Sequence, residues 1–408
     1  MRVTSIASAC VVIEHRGIKV LCDPWLVDGA YYGSWFHNPP LSVEPEDFHD
    51  CPYIYLSHIH QDHADLATLK RLNKRSTVLL APYADTFLHR MVAGRGFPVK
   101  RLAHGVPCTL GKDFQVTLYG ADDCNPQACG AWIGCPIPHA LPGLSYQIDS
   151  LAVFQGGGQT VVNVNDCPYP LTRTILERLA PVDLCLTAYS GAGPWPQCFP
   201  QLDEATREQA AANKRDLFLR YAHQTAETLR ARHWIPFAGQ YTLGGKLQPL
   251  NRFRGVPTLD DIPPHPGMVR LSRMGVWDCE REEGTAFIPR DGERAADYES
   301  LLRDVPLAYE RQPHRDGAAL FEDARARWAE RCADRHLTVD WTITVNGRLL
   351  CEGAKGEIAV TLDDRLLYWL LRRKAHWNAA EIGSHLTFER SPNVYERTPY
   401  YALSYFHM

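Results

Sequence analysis

The chain has 408 residues, of which 45% are hydrophobic and 22% are charged, and its net charge at pH 7 is -4. This composition is typical of a globular protein that is large enough for more than one domain. A net charge of -4 offers no electrostatic surface for nucleic acid, and no run of about 18 apolar residues could form a membrane helix. We therefore expect a small-molecule substrate, with no nucleic acid and no membrane as partners.

Cysteine usage points to a reducing compartment. The 13 cysteines are an odd number and contain no Cys-x-x-Cys pair, which disfavours a zinc ribbon and a thioredoxin-like redox site. The N-terminus also lacks the long apolar region of a secretory signal. Reduced thiols and a cytoplasmic location are the simplest interpretation.

The chain opens with a predicted hairpin over residues 3–26. Its second strand ends at Asp23-Pro24-Trp25-Leu26, because proline stops a strand ladder. A loop rich in glycine and aromatic residues follows as far as residue 40. Either a packed surface loop or an aromatic wall of Tyr31, Tyr32, Trp35 and Phe36 over a substrate pocket explains it. We predict Trp25, Tyr31 and Trp35 as substrate-binding residues.

Four candidate metal ligands then lie within six residues. An apolar strand over residues 53–57 runs into His58, His60, Asp62 and His63, and a helix-like pattern follows. Imidazole and carboxylate groups together suit zinc, iron or manganese. Capping of the helix would explain one aspartate but not three histidines, so this spacing predicts a metal site.

Two later strands also end in carboxylates. The strand over 114–118 precedes Asp122, Asp123 and Asn125, and the strand over 160–165 precedes Asp166. Ligand placement explains this pattern, although an ordinary turn would also explain the first group. We predict Asp122, Asp123 and Asp166 as metal ligands and Asn125 as a substrate-binding residue.

The following segments supply further candidates. A strand over 184–188 leads to Tyr189 and through a glycine-rich turn to Trp195, and a short strand over 234–239 precedes Tyr241. A long amphipathic helix over 203–232 separates them. We predict Trp195 and Tyr241 as substrate-binding residues. Either Tyr189 or Tyr241 is a candidate hydrogen-bond donor to an oxyanion, and buried packing is the alternative role of both tyrosines.

Alternating strands and helices with polar strand ends predict a layered α/β fold. Residues 1–255 are expected to form the metal-binding domain. The Pro- and charge-rich segment 256–320 is expected to be a linker or cover, and residues 321–408 an accessory α+β unit. This unit is expected to serve packing or dimerisation, which would give a homo-oligomer; the alternative is that it lines an apolar substrate site.

The opening hairpin, the histidine motif and the strand that ends at Asp166 resemble the metallo-β-lactamase fold superfamily over roughly residues 1–250. The resemblance implies an αββα sandwich with a metal pair at one edge. It also implies that His58 and His60 bind the first metal, that Asp62 and His63 bind the second, and that Asp166 bridges the two.

A second resemblance concerns residues 189–199, 236–239 and 394–406, which are similar to the lactamase-like portion of CMP-N-acetylneuraminate hydroxylases. Those enzymes also carry a Rieske iron–sulfur domain. The present sequence has no Cys-x-His…Cys-x-x-His pattern, so no Rieske cluster is expected.

Two ligand positions depart from the superfamily pattern. Aspartates and an asparagine stand where the third histidine is expected after residue 120, and Ala238-Gly239 stands near the position of the last histidine. The centre would then be rich in oxygen ligands, which favours iron or manganese over zinc. We expect two divalent metal ions, with iron as the favoured identity.

These residues support three hypotheses of function. The first is metal-dependent hydrolysis of an ester or thioester acyl bond, with Asp62 as ligand and base; the tryptophans suggest a bulky substrate such as a coenzyme A- or carrier-linked acyl group. The second is a di-iron oxygenase that hydroxylates its substrate with electrons supplied in trans. The third is a metal-stabilised binding protein without turnover.

Overall fold

The computed structural model describes residues 1–83, 86–120, 149–289 and 292–406. The strands are, in chain order, β1 Arg2–Ala7, β2 Cys10–His15, β3 Ile18–Cys22, β4 Trp35–Phe36, β5 Tyr53–Tyr55, β6 Thr77–Leu80, β7 Val99–Arg101, β8 Cys108–Gly111, β9 Phe114–Gly120, β10 Ser150–Gly156, β11 Gln159–Asn165, β12 Leu184–Ala188, β13 His233–Phe237, β14 Thr242–Leu243, β15 Val276–Asp278, β16 Glu283–Gly284, β17 Thr342–Val345, β18 Arg348–Cys351, β19 Glu357–Thr361 and β20 Thr387–Ser391. The α-helices are Ala30–Gly33, Leu66–Arg71, Phe87–Ala93, Tyr169–Leu179, Glu204–Thr228, Gly292–Leu301, Ala318–Asp334, Asp364–Leu371, Trp377–Ile382 and Arg397–Leu403.

Two large sheets form the first part of the protein. The eight-stranded sheet has the order β16-β15-β1-β2-β3-β5-β6-β7, and the six-stranded sheet has the order β13-β12-β11-β10-β9-β8. Strands β3, β5, β6 and β7 run parallel, as do β11, β12 and β13, whereas the hairpins on the other side of each sheet are antiparallel. The parallel strands of each sheet therefore bring their carboxyl ends to one edge, where loops can hold a site.

The inner faces of the two sheets share one apolar core. Ile54 and Leu79 of the eight-stranded sheet belong to the same buried cluster as Phe154 of β10. Successive side chains of a strand point to opposite faces, and Val153 accordingly packs in a separate outer cluster with Ile175 of the helix Tyr169–Leu179. The helices Leu66–Arg71 and Phe87–Ala93 bury Leu69, Leu88 and Val92 in the cluster that contains Ile54 and Leu79. The predicted αββα sandwich is confirmed.

The segment expected to be a linker adds strands to the main sheet. Trp277 of β15 pairs with Val3 of β1, and β16 pairs with β15. Short strands in a Pro- and charge-rich segment carry little periodic signal, and β1, the partner of β15, lies more than 270 residues earlier in the chain. The sequence pattern therefore gave no indication of this edge.

The C-terminal unit consists of the four-stranded sheet β18-β17-β19-β20 and the helices packed around it. Its buried cluster continues into the first domain, because Trp25, Trp35 and Cys198 pack in the same cluster as Phe388. The backbone N–H of Phe388 also donates to the carbonyl of Cys198 at 2.8 Å. The division at residues 255 and 320 stays a prediction. Among the described helices, none combines the length and the apolarity that crossing a bilayer requires.

Candidate metal centre

The histidine motif lies where the ends of both sheets meet. Asp23 follows β3 and the motif follows β5, and these two strands are parallel neighbours. Asp166 follows β11 of the opposite sheet. The structure brings one ligand atom each of His58, His63 and Asp166 within 4.8 Å of one another. The strand-end pattern of the sequence therefore corresponds to a cluster in space.

One set of donor atoms surrounds His58. Its Nε2 lies 2.8 Å from Nδ1 of His60 and 3.7 Å from Oδ1 of Asp149. Asp149 stands immediately before β10 and is 8% exposed. These three residues, His58, His60 and Asp149, are called the His58 group below.

A second set of donor atoms surrounds His63. Its Nε2 lies 3.3 Å from Oδ2 of Asp166 and 3.5 Å from Oδ2 of Asp62. Within the described part of the chain this buried nitrogen has no hydrogen-bond partner. His63, Asp62 and Asp166 are called the His63 group below. The rings of His58 and His63 are 4.1 Å apart between centroids, so the two groups are adjacent.

The outward nitrogen of each histidine is held by a hydrogen bond. Nδ1 of His58 lies 2.9 Å from Oγ of Ser57, and Nδ1 of His63 lies 3.1 Å from Oδ2 of Asp23. A carboxylate only accepts hydrogen bonds, so Nδ1 of His63 is the donor. In the neutral ring, Nε2 then keeps a lone pair directed at the other donors, as a metal ligand requires.

The support beneath His63 is itself buried and rigid. Asp23 is fully buried, and its Oδ1 accepts the backbone N–H of Ser57 at 2.7 Å. Oγ of Ser150 and the hydroxyl of Tyr83 both donate to the carbonyl of Ser57. Asp23 also has a left-handed backbone with φ of 45°, a conformation that aspartate tolerates better than most residues. Asp23 thus makes its contact with His63 from a left-handed backbone conformation.

Asp62 is oriented from the aromatic loop. The Tyr31 hydroxyl donates to Oδ1 of Asp62, and the Tyr31 backbone N–H donates to Oε1 of Gln61 at 2.6 Å. Oδ2 of Asp62 therefore faces His63. Tyr31 is 1% exposed, so this arrangement is closed to bulk water.

The carboxylates of the centre carry an excess of negative charge that favours a bound cation. Burial alone would lower the pKa of His63, but the carboxylates of Asp166, Asp62 and Asp23 raise that pKa well above its ordinary range. Burial would raise the pKa of Asp62, and the attraction of His63 outweighs it and lowers that pKa to about 2. Three carboxylates thus surround one imidazole. Burial also lowers the pKa of His58 well below its ordinary value, helped by His63 and His60, so His58 is a neutral donor. This donor set fits a metal ion.

The predicted aromatic residues lie in packed positions near the centre. Trp25, Tyr31, Trp35 and Tyr241 are all at most 7% exposed. Trp35 and Tyr241 stack with centroids 3.4 Å apart, and Tyr31 lies 4.7 Å from Trp35. Their role in substrate binding stays a prediction.

Trp195 differs from these rings because it is only half-buried. It packs edge-on against Phe199, and the guanidinium of Arg390 lies 5.1 Å from its ring centroid. Trp195 is thus a predicted substrate-binding residue whose ring is partly accessible to solvent. Asp122, Asp123 and Asn125 lie outside the described residues.

The position without a histidine is filled by another ring. A Cβ atom on Gly239 would lie 2.5 Å from the ring of Tyr189, so a larger residue would collide with it. Ala238 has φ of 54°, and its N–H donates to the carbonyl of Ser8 at 3.0 Å. Tyr189 is 1% exposed and packs here against the backbone; its catalytic role stays a prediction.

Sequence reasoning did not identify Asp23, Ser57, Asp149 or Asn378 as site residues. Asp149 precedes the start of β10 rather than following the end of a strand, so the strand-end argument used for Asp166 did not reach it. Asn378 gives no such signal, because it is 318 residues from its partner His60.

The comparisons with known proteins agree with this geometry. The family model for the beta-lactamase superfamily domain matches residues 2–206. A putative Rieske 2Fe-2S iron-sulfur protein of Mycolicibacterium smegmatis is 30% identical over 347 residues, which are 82% of this chain and 60% of that protein. The cytidine monophosphate-N-acetylneuraminic acid hydroxylase of Mus musculus is 24% identical over 251 residues, which are 59% of this chain and 39% of that enzyme.

The chain thus spans less than two thirds of the length of both curated relatives. Among solved structures, the isothiocyanate hydrolase from Delia radicum gut bacteria superposes with a TM-score of 0.45 at 16% identity, covering 70% of this chain and 99% of that chain. The superfamily domain matches half of the sequence and includes β1 to β12 and all six donor residues. The chain belongs to the beta-lactamase superfamily.

Proposed function

We propose that the protein is a metal-dependent hydrolase with a dinuclear centre that acts on an ester or thioester acyl bond. The observation that carries this proposal is the division of six donors into two adjacent groups of three. Each group combines imidazole with carboxylate at the edge of the sandwich, where His58, His63, Asp62 and Asp149 are buried and His60 and Asp166 are partly exposed. Asp149 would take the place of a third histidine in the first group.

The residues present fit a pair of divalent ions, with iron favoured over zinc or manganese. The six donors comprise three imidazole nitrogens and three carboxylates, a mixed set in which oxygen is as frequent as nitrogen. When bound, the ions would lower the pKa of a shared water and polarise the acyl carbonyl. His58, His60 and Asp149 would hold one ion, and His63 and Asp62 the other. Asp166 would serve both.

The chain's own residues orient these donors. Tyr31 fixes Oδ1 of Asp62, which leaves Oδ2 toward His63. The low pKa of Asp62 keeps this carboxylate ionised at neutral pH, so a ligand role suits it better than that of a proton donor. Asp23 holds the proton of His63 at Nδ1. The centre is therefore organised before any ion or substrate enters it.

The half-buried ring of Trp195 would contact the substrate. Its solvent-facing surface and the nearby guanidinium of Arg390 suit a partly apolar group that carries negative charge, and an acyl group on coenzyme A or on a carrier protein has both properties.

A second candidate is a hydroxylase that uses the same centre with iron and receives electrons from another protein. The similarity to the mouse hydroxylase over 59% of this chain favours it. Oxygen dependence separates the two candidates, because hydrolysis requires neither O2 nor an electron donor.

The test is turnover of a panel of acyl esters and acyl-coenzyme A thioesters by protein of measured metal content. The hydrolase proposal expects two metal equivalents and turnover under anaerobic conditions without reductant. It also expects that Asp149→Asn and Asp166→Asn lose metal, while the exposed hairpin variant Asp113→Asn keeps it. Activity that strictly requires O2 and a reductant would establish the hydroxylase instead. Ligand binding without turnover under either condition would support a binding protein.

A further inference from the structure

We propose that Asn378 of the C-terminal unit is a positioning residue that fixes the tautomer of His60 and so completes the metal centre. The unit would then be part of the active centre rather than only a packing or dimerisation element. The inference rests on the proposed dinuclear centre, in which His60 is a ligand.

The contact joins distant parts of the chain. Nε2 of His60 lies 3.0 Å from Oδ1 of Asn378, which stands in the helix Trp377–Ile382. An amide oxygen only accepts hydrogen bonds, so Nε2 of His60 carries the proton. Nδ1, which lies 2.8 Å from Nε2 of His58, then keeps the lone pair that a metal ligand needs.

The orientation of the amide is also determined by its neighbours. The side chains of Asn378 and Trp377 both hydrogen-bond to the carboxyl group of Glu381, and the distance from Nε1 of Trp377 to Oε1 is 3.0 Å. An ionised carboxylate accepts from the amide NH2 group, which directs the amide oxygen toward His60. Burial raises the pKa of Glu381 to about 7, so this ionised arrangement dominates above that pH.

The helix that carries Asn378 is anchored on the aromatic loop of the first domain. The N–H of His376 donates to the Tyr32 hydroxyl at 2.7 Å, and Nε2 of His385 lies 2.7 Å from the Tyr31 carbonyl. A Cβ atom on Gly383 would lie 2.9 Å from Cβ of Tyr31, so the two segments are closely packed. Trp377 is fully buried. These contacts hold the amide in place, which a positioning role requires.

The distinguishing comparison is Asn378→Leu against Asn378→Asp. Leucine has similar size and no acceptor, whereas aspartate keeps an oxygen for Nε2 of His60. Asn393→Leu, an exposed position in the same unit whose side chain accepts from Arg390, is the matched control. Asn378→Ala replaces the leucine variant if that variant does not fold.

Zn(II) affinity of the metal-free proteins would be measured at pH 8 by competition with a chelator. We expect Asn378→Leu to bind the weaker of two equivalents about 10- to 100-fold less tightly, the usual cost of losing a partner that orients a ligand. Asn378→Asp and Asn393→Leu should stay within about threefold of the parent protein, because both leave an oxygen acceptor for His60 in place.

Long-range ¹H–¹⁵N spectra of the metal-free proteins would report the tautomer directly, with His60→Gln to assign the resonance. The Nε2–H form should dominate in the parent protein and be lost in Asn378→Leu. If Asn378→Leu keeps both that tautomer and the parent affinity, the inference is refuted while the metal centre stands. If the parent protein binds no Zn(II), the proposed centre fails and the inference fails with it.

Discussion

Replacing Asp23 with asparagine tests how the His63 ring is held. The variant keeps the size of the side chain, and its amide oxygen can still accept the Ser57 N–H. Asparagine also tolerates the left-handed backbone at this position. The group that faces Nδ1 of His63 becomes an NH2 donor. Nδ1 must then accept, the proton moves to Nε2, and the nitrogen that faces Asp62 and Asp166 loses its lone pair.

The structure sets the size of the expected effect. The lost contact is a buried hydrogen bond of 3.1 Å between an imidazole and a carboxylate, and hydrogen bonds to charged groups contribute about 1.5–3 kcal/mol. At about 1.4 kcal/mol for each factor of ten, we expect Asp23→Asn to weaken Zn(II) binding roughly 10- to 150-fold. This range agrees with the usual loss of about 10- to 100-fold when the partner of a metal-bound histidine is removed.

The assay is a chelator competition titration of the metal-free protein, with Asp113→Asn as the control. Asp113 also has a left-handed backbone, with φ of 57°, but its carboxylate is half-exposed and pairs with Arg16 on the outer hairpin. The control should bind both equivalents with parental affinity. If Asp23→Asn also does so, the tautomer argument is refuted.

Three further predictions concern stability. Gly239→Ala should destabilise the fold by about 1–3 kcal/mol, because its Cβ would lie 2.5 Å from the Tyr189 ring, and the loss should shrink in a Tyr189→Leu background. Burial lowers the pKa of Lys214 to about 7, so the unfolded state holds more protons between pH 7 and 10; stability should rise with pH there, and Lys214→Met should remove a rise on the order of 2 kcal/mol. The hydrogen bond from Arg365 lowers the pKa of Asp363, a stabilisation present above about pH 4 and lost as pH falls. Asp363→Asn should therefore lower the free energy of unfolding by about 1.5–3 kcal/mol at pH 7. The variant should also lose less stability than the parent protein when the pH falls below about 4.

Urea unfolding measures all three. Gly317→Ala is the control for the glycine variant, because a Cβ at residue 317 meets only an ordinary contact of 3.6 Å. An equal cost of Gly239→Ala with and without the Tyr189 ring would contradict the packing argument. For Lys214→Met, a pH dependence between 7 and 9 identical to that of the parent would show that the ammonium is solvated. For Asp363→Asn, unchanged stability at pH 7 would show that its ion pairs contribute nothing measurable.

The sequence by itself determined the features that depend on short stretches of chain. The alternation of strands and helices predicted a layered α/β fold, because periodicity is a local property, and the αββα sandwich followed from the resemblance of the motifs to the superfamily. Four donors of the centre were visible because they fall within six consecutive residues, 58–63, shortly after β5. Asp166 was visible because a carboxylate that directly follows an apolar strand indicates a metal ligand.

Only the tertiary structure decided which donors meet and what holds them. Asp149 lies beside His58 because β10 and β5 belong to facing sheets, and Asn378 reaches His60 from 318 residues away. Neither contact has a local signature, since each depends on the packing of elements that are distant in the chain. The tautomers of His60 and His63 follow from those same contacts. The motif identified the ligands, and the packing around it decided which of their nitrogens can bind a metal.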